Sequence, residues 1–313
     1  MTTTVYRTVL QARLTPIAGS LIQPTGFPDL GAAEFGDSRL LVESAQSMAN
    51  WLEAATWDPA ASDQAPEFTD AGIPHVRVTD PQGNFLSSSR LEAHRLASAY
   101  ILNGKIGDTE GREELQKRLG LVKGRPLDHR AVARACFALD PLSLIHGVFF
   151  AQPKWPWQPR ITRAVTSFIE ASGARPAVSG GVKRDVVINE AKGGATAEGY
   201  GSVPHHRVEY TADEITAYFT VDHAQFRSYG LSEPATALLE AITDFEIATL
   251  LDRGLRLRTR CDLEVRDIVN GERPDASEAA ARIAKFAADA AAELGPVTEV
   301  TWSESARAAK GKA

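Results

Sequence analysis

The chain has 313 residues, 43% of them hydrophobic, so it can bury a substantial core in one large domain or two smaller ones. Its net charge of −6 argues against a protein that coats nucleic acid through bulk positive charge. No apolar run reaches the length of about 18 residues that spans a bilayer, and Cys136 and Cys261 have no metal-binding spacing, which favours a reducing cytoplasm.

Strand-like and helix-like patterns alternate along the chain. Residues 161–171 satisfy both patterns, and we favour a strand because β-branched residues are frequent there. We expect strands at 5–14, 39–43, 142–150, 161–171, 214–221 and 255–268, with a hairpin at 75–86. We expect helices from Ser44, from Ser88 or Ser89 to Leu102, at 108–119 after a Thr109 cap, at 127–138, from Ser232 to Leu251, and from Asp275 or Ser277 to Gly295.

Loop-like segments separate these elements. Two prolines and three glycines predict a loop at residues 22–36, and three prolines exclude an interior helix or strand at 151–160. Residues 56–74 are rich in Pro, Ala and Asp, which predicts a surface insertion. Six glycines between Gly180 and Gly201 indicate a flexible arm, and the basic end of the chain is expected to be disordered.

The stretch DSRLLVESAQSMANWLE at residues 37–53 predicts a short strand followed by a helix. Ser44 offers a hydroxyl to cap that helix, and Gln46, Ser47 and Asn50 lie in or just after the first turn. Free backbone N–H groups, the positive end of the helix dipole and neutral donors together suit an anion such as a phosphate. The same pattern is also typical of an ordinary capped amphipathic helix.

Positive charge is concentrated between Lys123 and Arg184, where ten basic residues face three acidic ones. This asymmetry indicates a polyanionic partner, although a solvated mixed-charge surface has the same composition. Three basic sets stand out: Arg160 and Arg163 after Trp155 and Trp157, Lys183 and Arg184 at the foot of the Gly-rich arm, and Arg256, Arg258 and Arg260 on one face of a predicted strand. Arginine and aromatic planes together suit stacking on single-stranded bases.

Motifs of common enzymes are absent from the sequence, including GxSxG, GxxxxGK[ST], HExxH and the dinucleotide-binding fingerprint. Adjacent His205 and His206 point to opposite sides of an extended segment, so they make no ready metal site, but they can contact phosphate or base. His146 lies in an apolar run and is typical of a core histidine. Asp185 leaves open an alternative in which the protein cleaves RNA with Mg²⁺, and a protein–protein scaffold is a second alternative.

Six segments, in chain order between about Gln23 and Glu264, together resemble the backbone subunit of the type I-G (formerly I-U) CRISPR Cascade complex. The segments are ESAQSMANWLE, HGVFF, ITRAVTSFIEA, SGGVKRD, GSVPHHRVEY and LRLRTRCDLE. The resemblance implies the RAMP superfamily and an α+β fold. That fold has an RRM-like (ferredoxin-like) palm, large helical and loop insertions and a flexible thumb-like arm. It also implies one domain over 1–313, with insertions at about 56–140 and 180–206 and a tail at 303–313.

Site residues follow from the same resemblance. Ser44, Gln46, Ser47 and Asn50 would grip guide phosphates, Arg160 and Arg163 would line the palm, Lys183 and Arg184 would follow the RNA backbone, and Gly193 to Gly201 would form the thumb. Trp51 stands where the family pattern leads us to expect an arginine, so either a phosphate contact is missing there or Trp51 stacks instead. To these candidates we add His205, His206, Arg256 and Arg258 from the charge pattern.

The resemblance predicts a subunit that binds guide RNA (crRNA) and polymerises along it as a head-to-tail filament. Its further partners would be the large subunit, the guide-end-capping subunit and, through the guide, target DNA. We expect no enzymatic activity, no cofactor, no metal and no membrane contact. Ordinary RRM aromatic motifs are absent, which suits a protein that accepts any guide sequence.

Overall fold

The computed structural model describes residues 5–27, 31–185 and 201–303, without the side chains of Phe27, 179–185 and 201–207. Within these ranges the chain combines α-helices with mainly antiparallel sheets, so it is an α+β protein. In the same ranges, no helix is both long enough and apolar enough to cross a bilayer.

The strands of the described ranges vary from two to eleven residues. In chain order they are β1 (Arg7–Pro16), β2 (Gly26–Phe27), β3 (Gly31–Ala32), β4 (Glu34–Phe35), β5 (Arg39–Glu43), β6 (Trp57–Asp58), β7 (Asp63–Gln64), β8 (Val76–Thr79), β9 (Phe85–Ser88), β10 (Lys105–Ile106), β11 (Thr109–Glu110), β12 (Val148–Phe149), β13 (Arg160–Ile161), β14 (Val165–Ser172), β15 (Arg175–Asp185), β16 (Gly201–Thr211), β17 (Glu214–Asp222), β18 (Leu255–Arg258), β19 (Cys261–Asn270) and β20 (Thr298–Thr301).

The helices are mostly short, and one of 21 residues dominates the core. They are α1 (Ala45–Ala54), α2 (Pro66–Asp70), α3 (Ala99–Asn103), α4 (Gly111–Arg118), α5 (His129–Leu139), α6 (Leu142–Ile145), α7 (His223–Ser228), α8 (Glu233–Arg253) and α9 (Ala276–Asp289), with a 3₁₀ turn at Arg95–Ala97.

The largest sheet has the strand order β18-β19-β1-β17-β14-β5-β4, and all neighbouring strands are antiparallel. Its central strands alternate buried and more exposed residues, as expected for a sheet with one face on the core. α1 lies in the connection from β1 to β14, and α8 lies in the connection from β17 to β19. The four central strands β19-β1-β17-β14 therefore follow the fourth-first-third-second order, with a helix in each crossover.

Local sequence explains the elements around this sheet. Ser44 has extended dihedral angles and caps α1, as predicted from its hydroxyl, and Ser232 and Asp275 cap α8 and α9 in the same way. The predicted strands β1, β5, β14 and β17, the helices α1, α5 and α8, and the hairpin β8–β9 are confirmed to within a few residues. α9 ends at Asp289, several residues before the predicted Gly295.

α8 is buried on most sides and packs against α1, α6, α7 and α9. The predicted surface insertion at 56–74 is wrong in part, because Phe68 is fully buried and its ring meets Phe245 of α8 at 5.3 Å. The C-terminal strand β20 pairs with β8 in a second sheet, of order β11-β10-β20-β8-β9. Residues from both sheets belong to one hydrophobic cluster, while the domain boundaries predicted above stay a prediction.

The strand predicted at residues 142–150 is wrong. Leu142–Ile145 form the helical turn α6, whose first N–H is bound by the carboxylate of Asp140, and only Val148–Phe149 form a strand. Gly147 has φ +81° and ends the turn, as glycine commonly does just after a helix. A short, mostly apolar run has no clear periodicity that distinguishes a buried helix from a buried strand.

Two further helix predictions need correction. No helix begins at Ser88 or Ser89, because Ser89 is buried and its hydroxyl accepts the N–H of Val76 on β8. The segment instead forms the 3₁₀ turn and α3, whose cap is Ser98. Thr109 does not cap α4, because it lies in β11 and the cap position belongs to Glu110.

Replacing Gly147 with alanine is expected to destabilise the protein more than the same change at Gly124. Both glycines have positive φ, +81° and +84°, which costs an L-residue roughly 1–2 kcal/mol. A Cβ at Gly147 would also lie 2.8 Å from the carbonyl oxygen of Ile161, whereas at Gly124 it meets nothing within 4 Å. Urea unfolding of both variants measures the difference, and equal losses would contradict the packing argument.

Candidate nucleic-acid interface

The first turn of α1 forms one edge of the candidate site. The Ser44 hydroxyl accepts the N–H of Ser47 at 3.3 Å, and the N–H groups of Ala45 and Gln46 have no partner within the helix. Ser44 is half-buried and Gln46 is exposed, so this turn faces solvent at its outer side. The positive end of the helix dipole therefore points towards a polar, accessible surface.

An open cavity of about 570 Å³ lies beside this turn. It is lined by Gln46, Ala93, His94, Arg95, His146, Gly147, Val148, Phe149, Ala151, Arg160, Ile161, Thr162 and Arg163. Arg163 crosses from the loop before β14 to the helix, where its Nη2 donates to Oε1 of Gln46 at 3.2 Å. Its Nε donates to the carbonyl oxygen of His146 at 3.3 Å. The cavity thus brings together three predicted site residues that lie far apart in the chain: Gln46, Arg160 and Arg163.

The wall of this cavity is cationic. Within the described part of the chain, neither Arg160 nor Arg163 has a carboxylate within ion-pair distance. Glu53, the buried acid whose charge acts on Arg163, is already paired with Arg95. Partial burial and the neighbouring charge of Arg95 lower the pKa of the Arg163 guanidinium. An anion bound in the cavity would relieve this crowding of positive charge.

Buried charges hold the floor of the cavity in place. Nε and Nη2 of Arg95 donate to the two carboxylate oxygens of Glu53 at 2.6 and 2.7 Å. Its Nη1 donates to the carbonyl oxygen of Gly147 at 3.1 Å. Burial raises the pKa of the Glu53 carboxyl, and the Arg95 guanidinium opposes that shift. Because Arg95 joins α1 to the loop after α6, it fixes the two sides of the cavity relative to each other.

His146 directly follows α6, and its side chain is fully buried, as predicted for a core histidine. Its Nε2 lies 3.0 Å from both carboxyl oxygens of Glu246 on α8. Burial lowers the pKa of His146 to about 3 and raises the pKa of Glu246 to about 8. At neutral pH the pair is therefore uncharged, with the carboxyl proton shared towards His146. A neutral pair avoids the cost of an isolated buried charge.

A Glu246→Gln variant should lose part of the alkaline pH dependence of stability. The native pair holds one proton between pH 3 and 8, and the unfolded pair also holds one between about 4.5 and 6.5. Above pH 6.5 the unfolded chain releases that proton first, so the free energy of unfolding falls towards pH 8 by at most about 1.4 kcal/mol per pH unit. Urea unfolding at pH 6, 7 and 8 compares both proteins, and parallel curves would contradict the assignment.

Other predicted residues of α1 lie near the cavity without lining it. Asn50 is exposed one turn after Gln46, and Ser47 is half-buried beside the cap. Trp51 is half-buried and packs against the hydrophobic cluster, so its ring contributes mainly to the core. Of the predicted stacking pair, Trp155 is buried against Phe150 at 4.5 Å, while Trp157 is 56% exposed.

The predicted basic stripe at residues 255–268 is wrong, because the run folds back as the hairpin β18–β19 rather than one strand. Arg258 turns inward and pairs with buried Glu43 at 2.5 Å, and it also donates to the carbonyl oxygens of Gln23 and Val42. Arg256 and Arg260 are exposed, with 84% and 52% of their side chains accessible, and they lie 3.9 Å from Asp262 and 3.7 Å from Glu209. Arg258 therefore supports the strand before α1 instead of presenting charge to solvent.

The four remaining candidates lie on the hairpin β15–β16. Lys183 and Arg184 face Val203 and Ser202 across the hairpin, and His205 and His206 face Gly181 and Gly180. Their side chains lie outside the description, as does most of the predicted thumb at Gly193–Gly201, so these roles stay predictions. In the described ranges, no three His, Cys, Asp or Glu residues are arranged to hold a metal ion.

Phe149 is one of the cavity residues that the sequence interpretation missed, because HGVFF was predicted to be a buried strand. The neighbouring Val148 and Phe150 are buried, but Phe149 is 49% exposed at the cavity rim. The indication available in the sequence was Gly147, which breaks the apolar run and starts a two-residue strand opposite Arg160. Exposed His94 and buried Arg95 are further unpredicted lining residues.

An α+β chain with an antiparallel sheet, a capped helix beside it and a cationic cavity at their junction defines a protein suited to an anionic ligand. A family model described as CRISPR-associated protein GSU0053 matches residues 8–176, which is more than half of the chain. The chain therefore belongs to this CRISPR-associated family. The match includes α1 and every residue that lines the cavity.

Two further comparisons add no assignment to the family match. A solved structure described as "CRISPR RNA-guided surveillance complex, pre-nicking" is 13% identical to this chain, with a TM-score of 0.37. The similarity covers 83% of this chain and 76% of that chain. A TM-score this low defines neither fold nor function. A comparison with curated proteins found no match.

Proposed function

We propose that this protein is a guide-RNA-binding subunit of a Cascade-type CRISPR effector complex. The observation that carries the proposal is the cavity in which Gln46, Arg160 and Arg163 meet beside the first turn of α1. Family membership supports a role in CRISPR immunity. The cavity supports a phosphate-bearing ligand, because Arg160 and Arg163, which have no carboxylate partner among the described residues, meet the Gln46 amide there beside the first turn of α1.

The proposed fold class is an RRM-like palm. The central strand order β19-β1-β17-β14, with α1 and α8 in the two crossovers, supports it. RRM domains commonly stack RNA bases on aromatic residues of the open sheet face. Here that face has one stacked pair, Phe168 and Tyr218 at 5.0 Å. A cation on this face, Arg13, is already paired with Asp267 at 2.9 Å. The cavity is therefore better suited than the sheet face to bind the phosphate backbone of RNA.

In this proposal the protein holds RNA without reading its sequence. Arg163, Arg160 and the first turn of α1 bind phosphate groups, which carry no sequence information. Guide bases then remain available to pair with target DNA, as in RNA-guided recognition generally. A local cationic cavity is compatible with a net charge of −6, because short-range contacts rather than bulk charge hold the strand.

The assembly proposed from the sequence resemblance is a head-to-tail filament of copies along the crRNA. Such heterologous contacts need not close, so they extend for as long as the guide allows. The same proposal includes the type I-G subtype and a cytoplasmic location. Its further partners are the large subunit, the guide-end-capping subunit and target DNA bound through the guide. The absence of nuclease activity in this subunit is also part of the proposal.

Expression of the full chain with and without a guide RNA tests the proposal. With guide, we expect a large particle with a raised ratio of absorbance at 260 to 280 nm and RNA of guide length, and without guide a smaller species. A particle of unchanged size free of nucleic acid would contradict RNA binding and favour a protein scaffold. Cleavage of labelled RNA with Mg²⁺ that is abolished by Asp185→Ala would instead favour the nuclease alternative.

A further inference from the structure

An exposed aromatic ring stands at the rim of the cationic cavity. Phe149 and Arg160 are direct partners in the two-stranded sheet β12–β13, and the guanidinium of Arg160 lies 5.7 Å from the centre of the Phe149 ring. Phe149 is 49% exposed, although the residues on both sides of it are buried. Val148 and Phe150 are the residues of this segment that pack in the core. The Phe149 ring therefore remains available to a ligand.

The cavity has two chemically different parts. One part, made by Gln46 and Arg163 with the α1 turn, offers charged and neutral hydrogen-bond donors. The other, made by Phe149 and Arg160, offers a planar ring with a cation against it. A ligand that matches both parts carries a negative charge and a flat aromatic group. A nucleotide has this composition, and an apolar protein segment does not.

We infer that Phe149 is a stacking surface for one nucleobase of the bound RNA, while Arg163 and the α1 turn hold an adjacent phosphate. The inference rests on the proposed function and adds to it a base contact and the residue that makes it. About 570 Å³ lies within the range of roughly 300–1,000 Å³ typical of small-molecule sites, so one nucleotide fits. Stacking accepts every base, because each has a flat π face.

The test compares Phe149→Leu with wild type in filter binding of single-stranded RNA at several salt concentrations. We expect affinity to fall about 5- to 150-fold, the range for loss of one stacked base. The slope of binding against salt should stay unchanged, because the variant neutralises as many phosphates as the wild-type protein. Phe149→Tyr should restore affinity. In RNA that contains 5-iodouridine, light should cross-link a base to the Phe149 peptide.

Phe35→Leu is the matched control, since Phe35 is 40% exposed on the edge strand β4 and does not line the cavity. It should bind RNA as wild type does. Wild-type affinity in Phe149→Leu, or cross-links only outside the cavity, would overturn the inference while RNA binding stands. Absence of RNA binding by the wild-type protein would overturn the proposed function itself, and the inference with it.

Discussion

Replacing Arg163 with glutamine is expected to weaken the binding of single-stranded RNA about 10- to 150-fold. A hydrogen bond to a charged group contributes roughly 1.5–3 kcal/mol, and each 1.4 kcal/mol is a tenfold change. Arg163 is half-buried and its charge has no carboxylate partner among the described residues, so a phosphate would be its main counter-charge. The salt slope should also fall by about 0.7 for each phosphate that the variant no longer neutralises.

Arg160→Gln should act in the same direction, since Arg160 lines the same cavity. The matched control is Arg266→Gln, which removes one positive charge from an exposed position on β19, three strands from β14. Its affinity and salt slope should remain near those of wild type. Urea midpoints verify that each variant is folded. Normal RNA binding by the Arg160→Gln/Arg163→Gln double variant would exclude the cavity as the RNA site.

Replacing Arg95 with methionine is expected to destabilise the protein by about 3–5 kcal/mol, the cost of leaving a buried charge without its partner. Glu53 would lose both hydrogen bonds from Arg95, and the carbonyl of Gly147 would lose its donor. Burial alone would then raise the folded-state pKa of Glu53 further. The variant is stable at low pH, where Glu53 is protonated, and it loses stability as pH rises through the folded-state pKa of Glu53. The difference from the wild-type protein is therefore largest at neutral pH.

The double variant Glu53→Leu/Arg95→Met is the control, and it should recover most of the lost stability because it leaves no unpaired charge. The unpaired carbonyl of Gly147 accounts for the remainder. Urea unfolding at pH 7 and near pH 4.5 measures all three proteins. A loss below about 1 kcal/mol in Arg95→Met, or a double variant as unstable as the single one, would contradict a pair that stabilises the cavity floor.

Elements with strong local determinants were predictable. Ser44, Ser232 and Asp275 each place a capping oxygen before an apolar helical pattern, and the structure confirms all three caps. β17 was predicted at residues 214–221, a segment rich in β-prone residues, and it is a central strand. In these places the information lies within a few residues, because a cap or an alternating face depends on near neighbours in the chain.

Prediction failed where two local patterns were equally good or where distant residues decided. The run at 142–150 is mostly apolar, so only its burial beneath α8 and the turn at Gly147 separate α6 from β12. Ser88 and Ser89 look like caps, yet Ser89 binds β8 thirteen residues away. The alternation at 255–268 is real, but the hairpin turn divides it between two strands.

The candidate site divides in the same way. The sequence alone predicted the capped first turn of α1 and the basic segment that includes Arg160 and Arg163. It also showed the resemblance to a CRISPR backbone subunit, and the family match supports the CRISPR association. Tertiary structure alone decided which arginines are available. Arg258 forms an ion pair with Glu43 and is not available to a ligand. Arg163 instead contacts Gln46 across the cavity, and Phe149 is exposed at the cavity rim. The physical reason is that capping depends on adjacent residues, whereas the counter-charge and exposure of a side chain depend on residues far away in the chain.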